Sequence, residues 1–236
     1  MRNIPYLQIV GSLLYIATMT RPDISFVMSH LCRYMSDPNF ECYQSALNVL
    51  LYLEKSKSLC IRYDSVDRSF AGLNADSARI DGHNGFVCFS DASWGGKAPA
   101  YGYCCFMSSG PISYAAKKLK AAESSCEAEY SAAYQACKEC MFLRSLLDEM
   151  DMTLVGSTII AVDNTAAIDV ANDYGVSTRT KHFDRAVHFL RECVANLVIK
   201  LSFVRTTNQL ADIFTKPLGK TDFIRLRSCL LVHGDL

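Results

Sequence analysis

Residues 85–118 read GFVCFSDASWGGKAPAYGYCCFMSSGPISYAAKK. Three apolar runs follow one another there, at 86–93, 101–107 and 111–116. GGKAPA and SSGP separate them. Gly and Pro punctuate both separators, so the runs read as an antiparallel meander. Downstream the period changes. A long helical pattern covers 124–150, with Ala132, Ala133, Ala136, Cys140, Leu143 and Leu147 as its apolar stripe. A strand at 158–163 follows, then a helix over 164–172. An amphipathic helix over 180–195 carries Phe183, Val187, Leu190 and Val194 on one side. A strand at 197–204, a helix at 208–215 and a helical tail at 219–232 complete the order. This succession predicts an α/β fold: a mixed five-stranded sheet with helices on both faces.

Upstream, residues 1–64 read as a small helical unit. Ile9, Leu13, Ile16 and Ala17 recur at helical spacing. Pro22 restarts the chain at the first position of a second helix, whose apolar side holds Phe26, Val27, His30, Leu31 and Tyr34. SDPN at 36–39 is a turn. A third helix follows with Ala46, Val49, Leu50 and Leu53, and LCIRYD then reads as a short strand. Residues 65–84 are polar and aperiodic, which predicts a linker. The expected division is 1–64, 65–84 and 85–236.

Composition narrows the classes. Half of the 236 residues are hydrophobic, enough for a sizeable core, and the formal net charge is zero. Zero net charge argues against a protein that coats nucleic acid by bulk charge, though not against a local basic patch. The 11 cysteines follow no paired framework, so reduced thiols inside the cell are expected, in the cytoplasm or nucleus. Cys137 and Cys140 form a C-x-x-C within a helical pattern and lack a second ligand pair, so they read as core cysteines. Residues 1–19 mimic a signal peptide. However, Gln8, Gly11 and Ser12 interrupt the apolar run, which is also too short to span a bilayer, so a packed helix is expected.

Four acidic residues carry the chemistry. Asp91 alternates with Val87 and Phe89 and therefore points to an apolar face. Glu129 shares the core-facing stripe of the long helix. Glu127 lies about 200° round the helix from it and suits a capping role beside Ser124 and Ser125. A carboxylate on a core-facing stripe is costly unless something compensates it, and a metal ion would. Asp163 ends the strand in STIIAVDN, where by itself it reads as an N-cap. Asp212 alone means little. Together, one carboxylate on each of strand, helix, strand and helix fits a two-metal phosphodiesterase. Mg²⁺ takes hard oxygen ligands. Two such ions about 4 Å apart hold the attacking and leaving oxygens of a phosphate displacement.

The segments SDASWGG, GPISYAAKK, SSCEAEYSAA, VDNTAAI, RTKHFDRAVHFLRE and TNQLADIFTKPL, in this order, resemble the ribonuclease H domain of copia-type LTR retrotransposon Pol polyproteins. Residues 6–38 and 46–59 resemble the thumb and connection region after the polymerase palm. The resemblance implies a ribonuclease H-like sheet and hydrolysis of the RNA strand of RNA/DNA hybrids. It assigns catalytic and metal-binding roles to Asp91, Glu129, Asp163 and Asp212, with two Mg²⁺ ions, for which Mn²⁺ could substitute. Hybrid recognition is expected through 2′-hydroxyl and phosphate contacts. Candidates are Trp94, Lys117, Lys118, Lys120, Arg179, Lys181, His182 and Arg185.

Three features depart from parts of that pattern. No Y-x-D-D occurs, so no DNA synthesis is expected from this chain alone, and an upstream palm is a candidate partner. The GGKAPAY turn is short, and RTTNQ lacks a His before the last carboxylate. The alternative reading is an inactive retrotransposon-derived fragment, or one that binds nucleic acid without catalysis. An integrase core is disfavoured by the missing His/Cys zinc module and by Glu129 on the helix directly after the third strand. No membrane association is expected.

Overall fold

The computed structural model describes residues 5–64, 78–80, 83–95, 99–119, 122–172 and 184–234. Helices α1 (Tyr6–Met19), α2 (Ser25–Leu31) and α3 (Phe40–Lys55) open the chain. They close around their own core of Tyr6, Val10, Leu13, Ala17, Ile24, Met28, Leu31, Cys42, Ala46 and Val49. The buried stripes differ from those expected. In α1, Tyr6 and Val10 are buried, while Ile9 and Ile16 only flank the core. The Tyr6 hydroxyl donates to the Leu31 carbonyl at 2.8 Å, which turns this edge of α1 inward. In α2, Met28 and Leu31 face inward, while Phe26, Val27 and His30 are half-buried and Tyr34 is exposed. Leu50 of α3 is exposed as well.

A buried polar network braces this unit. Arg21 donates to both oxygens of Asp23, at 2.9 and 2.7 Å, and to the Ser56 carbonyl and hydroxyl. Tyr52 adds a hydroxyl to Asp23 and accepts from Arg227 at 3.1 Å. Arg21 and Asp23 are only 6% and 4% exposed. Removing one partner of such a pair strands a charge out of water. Asp23→Ala should therefore destabilise the fold by about 3–5 kcal/mol, read as a lower denaturant midpoint with unchanged slope.

Strand β1 (Leu59–Cys60) is shorter than the expected LCIRYD strand. It pairs antiparallel with a strand at the other end of the described chain, Val232–His233. Strand β2 (Ala78–Ile80) lies within the stretch read as a linker and pairs antiparallel with β3 (His83–Ser93). Strands β4 (Ala100–Met107) and β5 (Gly110–Lys118) continue the meander antiparallel, as expected. Helix α4 (Ser125–Glu149) crosses over to β6 (Thr158–Val162), which lies parallel to β3. Helices α5 (Thr165–Asn172) and α6 (Asp184–Ala195) lead to β7 (Ile199–Phe203), parallel to β6. The main path of the sheet runs β5-β4-β3-β6-β7, the mixed five-stranded arrangement expected, with β2 added beside β3.

Alternation along β3 sorts the two cores. Phe86 and Cys88 pack with the α4 stripe, including Ala133, Ala136, Cys140, Leu143 and Leu147, and with Val187 and Leu190 of α6. Val87 and Phe89 pack on the other face with α7 (Asp212–Thr215) and α8 (Lys220–Leu230). The terminal strand Val232–His233 is β8. The helix expected over 208–215 is only these four residues of α7, preceded by a 3₁₀ turn at Thr206–Asn208. The interruption has a cause. Gln209 adopts extended backbone and its side chain grips the sheet instead of a helical turn.

Among the described residues, none of the 11 cysteines forms a disulfide. Cys88, Cys105 and Cys140 meet in the core, with 3.0 Å between the first two sulfurs, and burial pushes the Cys105 and Cys140 thiols up. They behave as small apolar side chains. Among the described residues, no helix is long and apolar enough to cross a membrane.

Candidate active site

Three of the four expected carboxylates converge at the C-terminal ends of the two interior strands β3 and β6. Asp91 projects from β3 on the α7 face and is fully buried. Asp163 follows the last residue of β6, the strand parallel to β3. Asp212 opens α7. One oxygen from each lies within 4.8 Å of the others. Glu129, in the first turns of α4, is 8% exposed and approaches from the opposite face. It takes a hydrogen bond from the Ala92 backbone, and its Oε2 has no partner.

Local chemistry explains why these side chains are available. Ser124 caps α4 by accepting from the Glu127 N–H, and Glu127 accepts from Glu123. Glu127 therefore does the capping, and Glu129 is free to turn inward. At α5 the cap is Asn164, whose Oδ1 accepts from the Ala167 N–H at 3.2 Å. Asp163 is thus not spent on an N-cap. Its Oδ2 accepts from Thr206 at 2.9 Å instead.

Sequence reasoning missed four residues that build the site. Gln209, fully buried, donates to the Ser90 carbonyl at 3.0 Å and to Ala161, and accepts from the Ala211 N–H. It thereby ties the approach to α7 onto the two central strands. Thr215 donates a short hydrogen bond to Asp91. Thr206 holds Asp163. Lys216 reaches Asp212 at 2.8 Å and Asp91 at 3.1 Å. Only Lys216 carried a sequence signal, the i,i+4 spacing from Asp212.

The electrostatics are those of crowded acids. Burial, with Asp212 nearby, pushes Asp91 up to about 7 against the pull of Lys216. Burial, then the charges of Asp91 and Asp163, push Glu129 up to about 9. Asp212 is also raised, chiefly by burial. Hard oxygen donors in a buried cluster with an orphaned Glu129 oxygen fit a divalent cation. The sign of the linkage follows. These carboxyls bind protons in the fold that the unfolded chain has released, so their contribution is full below about pH 4 and is lost as pH rises to about 9. The metal-free protein should therefore melt at progressively lower temperature across that window, and Mg²⁺ should restore most of the loss at its upper end. Thermal melts with EDTA and with Mg²⁺ check this; a flat metal-free profile contradicts it.

The candidate nucleic-acid residues lie in several places. Lys117 and Lys118 are exposed at the end of β5. Their neighbour Ala116 shares a sheet row with Gly102 and Asp91. Trp94 is half-exposed and donates to the Ala122 carbonyl at 2.9 Å, so its ring is anchored at the rim of the sheet. Lys120, Arg179, Lys181 and His182 lie outside the described residues, as does the side chain of Arg185.

Fold and site define a mixed α/β domain whose central strands present a carboxylate cluster fit for divalent cations. The chain's homologues are retrovirus-related Pol polyproteins of copia-type transposons. It is 33% identical over 223 residues to the retrovirus-related Pol polyprotein from transposon RE1 of Arabidopsis thaliana, covering 92% of this chain and 14% of that protein. It is 28% identical over 240 residues to the Pol polyprotein from transposon TNT 1-94 of Nicotiana tabacum, covering 100% of this chain and 17% of that protein. The chain thus spans less than one fifth of the length of these relatives. Its fold is a mixed five-stranded sheet flanked by helices. RNase H1 from Halobacterium salinarum matches at a TM-score of 0.40 and 14% identity, over 55% of this chain and 92% of that one. No family model matches the chain.

Proposed function

We propose that this chain is a ribonuclease H that hydrolyses the RNA strand of RNA/DNA hybrids with two divalent cations, Mg²⁺ or Mn²⁺. The observation that carries it is the convergence of Asp91, Asp163 and Asp212 within 4.8 Å beside the unpartnered Glu129 oxygen. These four side chains would hold the cations. Bound there, the cations would activate water and offset charge on the leaving 3′ oxygen. The protein prepares the site in three ways. Thr215 fixes the rotamer of Asp91. Gln209 fixes the backbone before Asp212. Asp163, less buried than Asp91 and Asp212, would be the ligand nearest an incoming phosphate. Lys117 and Lys118 would meet phosphates, with Trp94 beside the sugar or base.

On this reading residues 1–64 are a thumb-like unit and 85–236 the nuclease, with β2 and the start of β3, from the stretch 65–84, joined to the nuclease sheet. An upstream palm is the natural protein partner, and the reducing interior of the cell is the setting. A non-catalytic remnant is the second reading. One observation favours it: Lys216 already satisfies two of the carboxylates without any cation. The discriminating experiment is hydrolysis of a labelled RNA/DNA hybrid beside single-stranded RNA and duplex DNA, with Mg²⁺ and with EDTA. Mg²⁺-dependent loss of the hybrid's RNA strand supports the nuclease, and an intact hybrid supports the remnant.

A further inference from the structure

Lys216 bridges two acids that a divalent cation would also need. Its ammonium lies between Asp91 Oδ1 and Asp212 Oδ1, whose side chains are 0% and 12% exposed. Two buried carboxylates side by side are costly without a cation, and Lys216 supplies one from within the chain. It does so incompletely, since Glu129 keeps an oxygen without a partner. A divalent ion carries twice the charge and would compensate more of the cluster, and to be ligated by Asp91 Oδ1 and Asp212 Oδ1 it must take the oxygens that the ammonium now holds.

We propose that Lys216 is a tethered counter-ion of the metal-free site, released when a divalent cation binds, and that it sets the ion concentration at which the site loads. This rests on the reading that the cluster takes divalent cations. The local structure allows the release. Lys216 caps the four-residue α7 on extended backbone and is followed by Pro217, which prevents a further helical turn. Its side chain is 34% exposed. It also lines a cavity of about 350 Å³ whose walls include Val27, Ser45, Asn48, Tyr52 and Phe223. The flexible stem can swing into this space and the ammonium can find polar groups there. Four of these five residues come from α2 and α3, so the N-terminal helical unit shapes the alternative seat.

Two measurements on the whole chain test this without using turnover. Reductive methylation read by mass spectrometry should find Lys216 protected in EDTA and reactive at saturating Mg²⁺. Lys220, exposed in the same segment, serves as reference. Mn²⁺ binding followed by electron paramagnetic resonance should tighten at least about tenfold, about 1.4 kcal/mol, in Lys216→Gln and Lys216→Met. Equal protection with and without Mg²⁺ overturns the proposal, as does an unchanged or weaker Mn²⁺ constant in both variants. The methylation readout needs no variant, so misfolding of either substitution leaves the test intact. If hybrid cleavage is absent while Mg²⁺ still frees Lys216, the nuclease reading fails and this one stands. If cleavage is normal with Lys216 locked, the reverse holds.

Discussion

Asp163→Asn should abolish hybrid cleavage, by at least about 10²–10³-fold, and should leave the fold intact. Both halves of this result come from the placement of the residue. Asp163 is one of the three acids gathered within 4.8 Å, so an amide there removes a charge and a hard ligand. Cation binding and charge compensation in the transition state weaken together. Stability, by contrast, loses little. Asn164, not Asp163, caps α5, and an amide oxygen can still accept from Thr206. The charge of Asp163 is also one of the causes that raise Glu129, so its removal relieves repulsion in the metal-free state. The variant should melt at or slightly above the wild-type temperature in EDTA while losing activity with Mg²⁺. Parallel cleavage and melting assays decide. Wild-type cleavage by Asp163→Asn removes Asp163 from the site. A large loss of melting temperature makes the residue structural.

Gly102→Ala should damage stability and activity together. Gly102 faces Asp91 directly across the β3–β4 pair. A Cβ at this position collides with the Cβ of Phe214 and comes within 3.1 Å of Thr215 Cγ2 and 3.2 Å of the Ala115 carbonyl. None of these can yield easily. Phe214 is fully buried and stacks on Tyr114, with ring centroids 6.1 Å apart. Thr215 holds Asp91. The missing side chain is what lets α7 lie against the strand and bring Asp212 beside Asp91. Adding one methyl to such packing costs about 1–3 kcal/mol. Displacing a ligand-bearing helix by about 1 Å costs about 10²-fold in rate. Denaturant titration and hybrid cleavage should both register the change. A variant with wild-type values in both would show that the close approach is dispensable.

The sheet and its long helix were legible because their signals are local. Turn residues at 95–100 and 108–111 bracket the strands, and the α4 stripe repeats at helical period. The same period separated Glu129 from Glu127, as the buried and capping positions show. Other features depend on what lies across space. Gly102 looks like any strand glycine until α7 is placed over it. Gln209 looks like a helical residue until its side chain is seen to hold Ser90, 119 positions away. Whether Asp163 or its neighbour Asn164 caps α5 is a choice between adjacent residues that both cap well. The inward face of α2 was misjudged because apolar residues surround that helix, and only the positions of α1 and α3 choose Met28 over Phe26.

The pairing of Leu59–Cys60 with Val232–His233 bears on the order of events at the ribosome. The first three helices hold a core of their own and can condense early. Their attachment cannot finish early, because its partners, Arg227 and the last strand, are synthesised some 175 positions later. Contacts this distant in sequence close late in folding. During translation the helical unit therefore waits as a preformed body until residues 227–233 have been made and latch it onto the sheet.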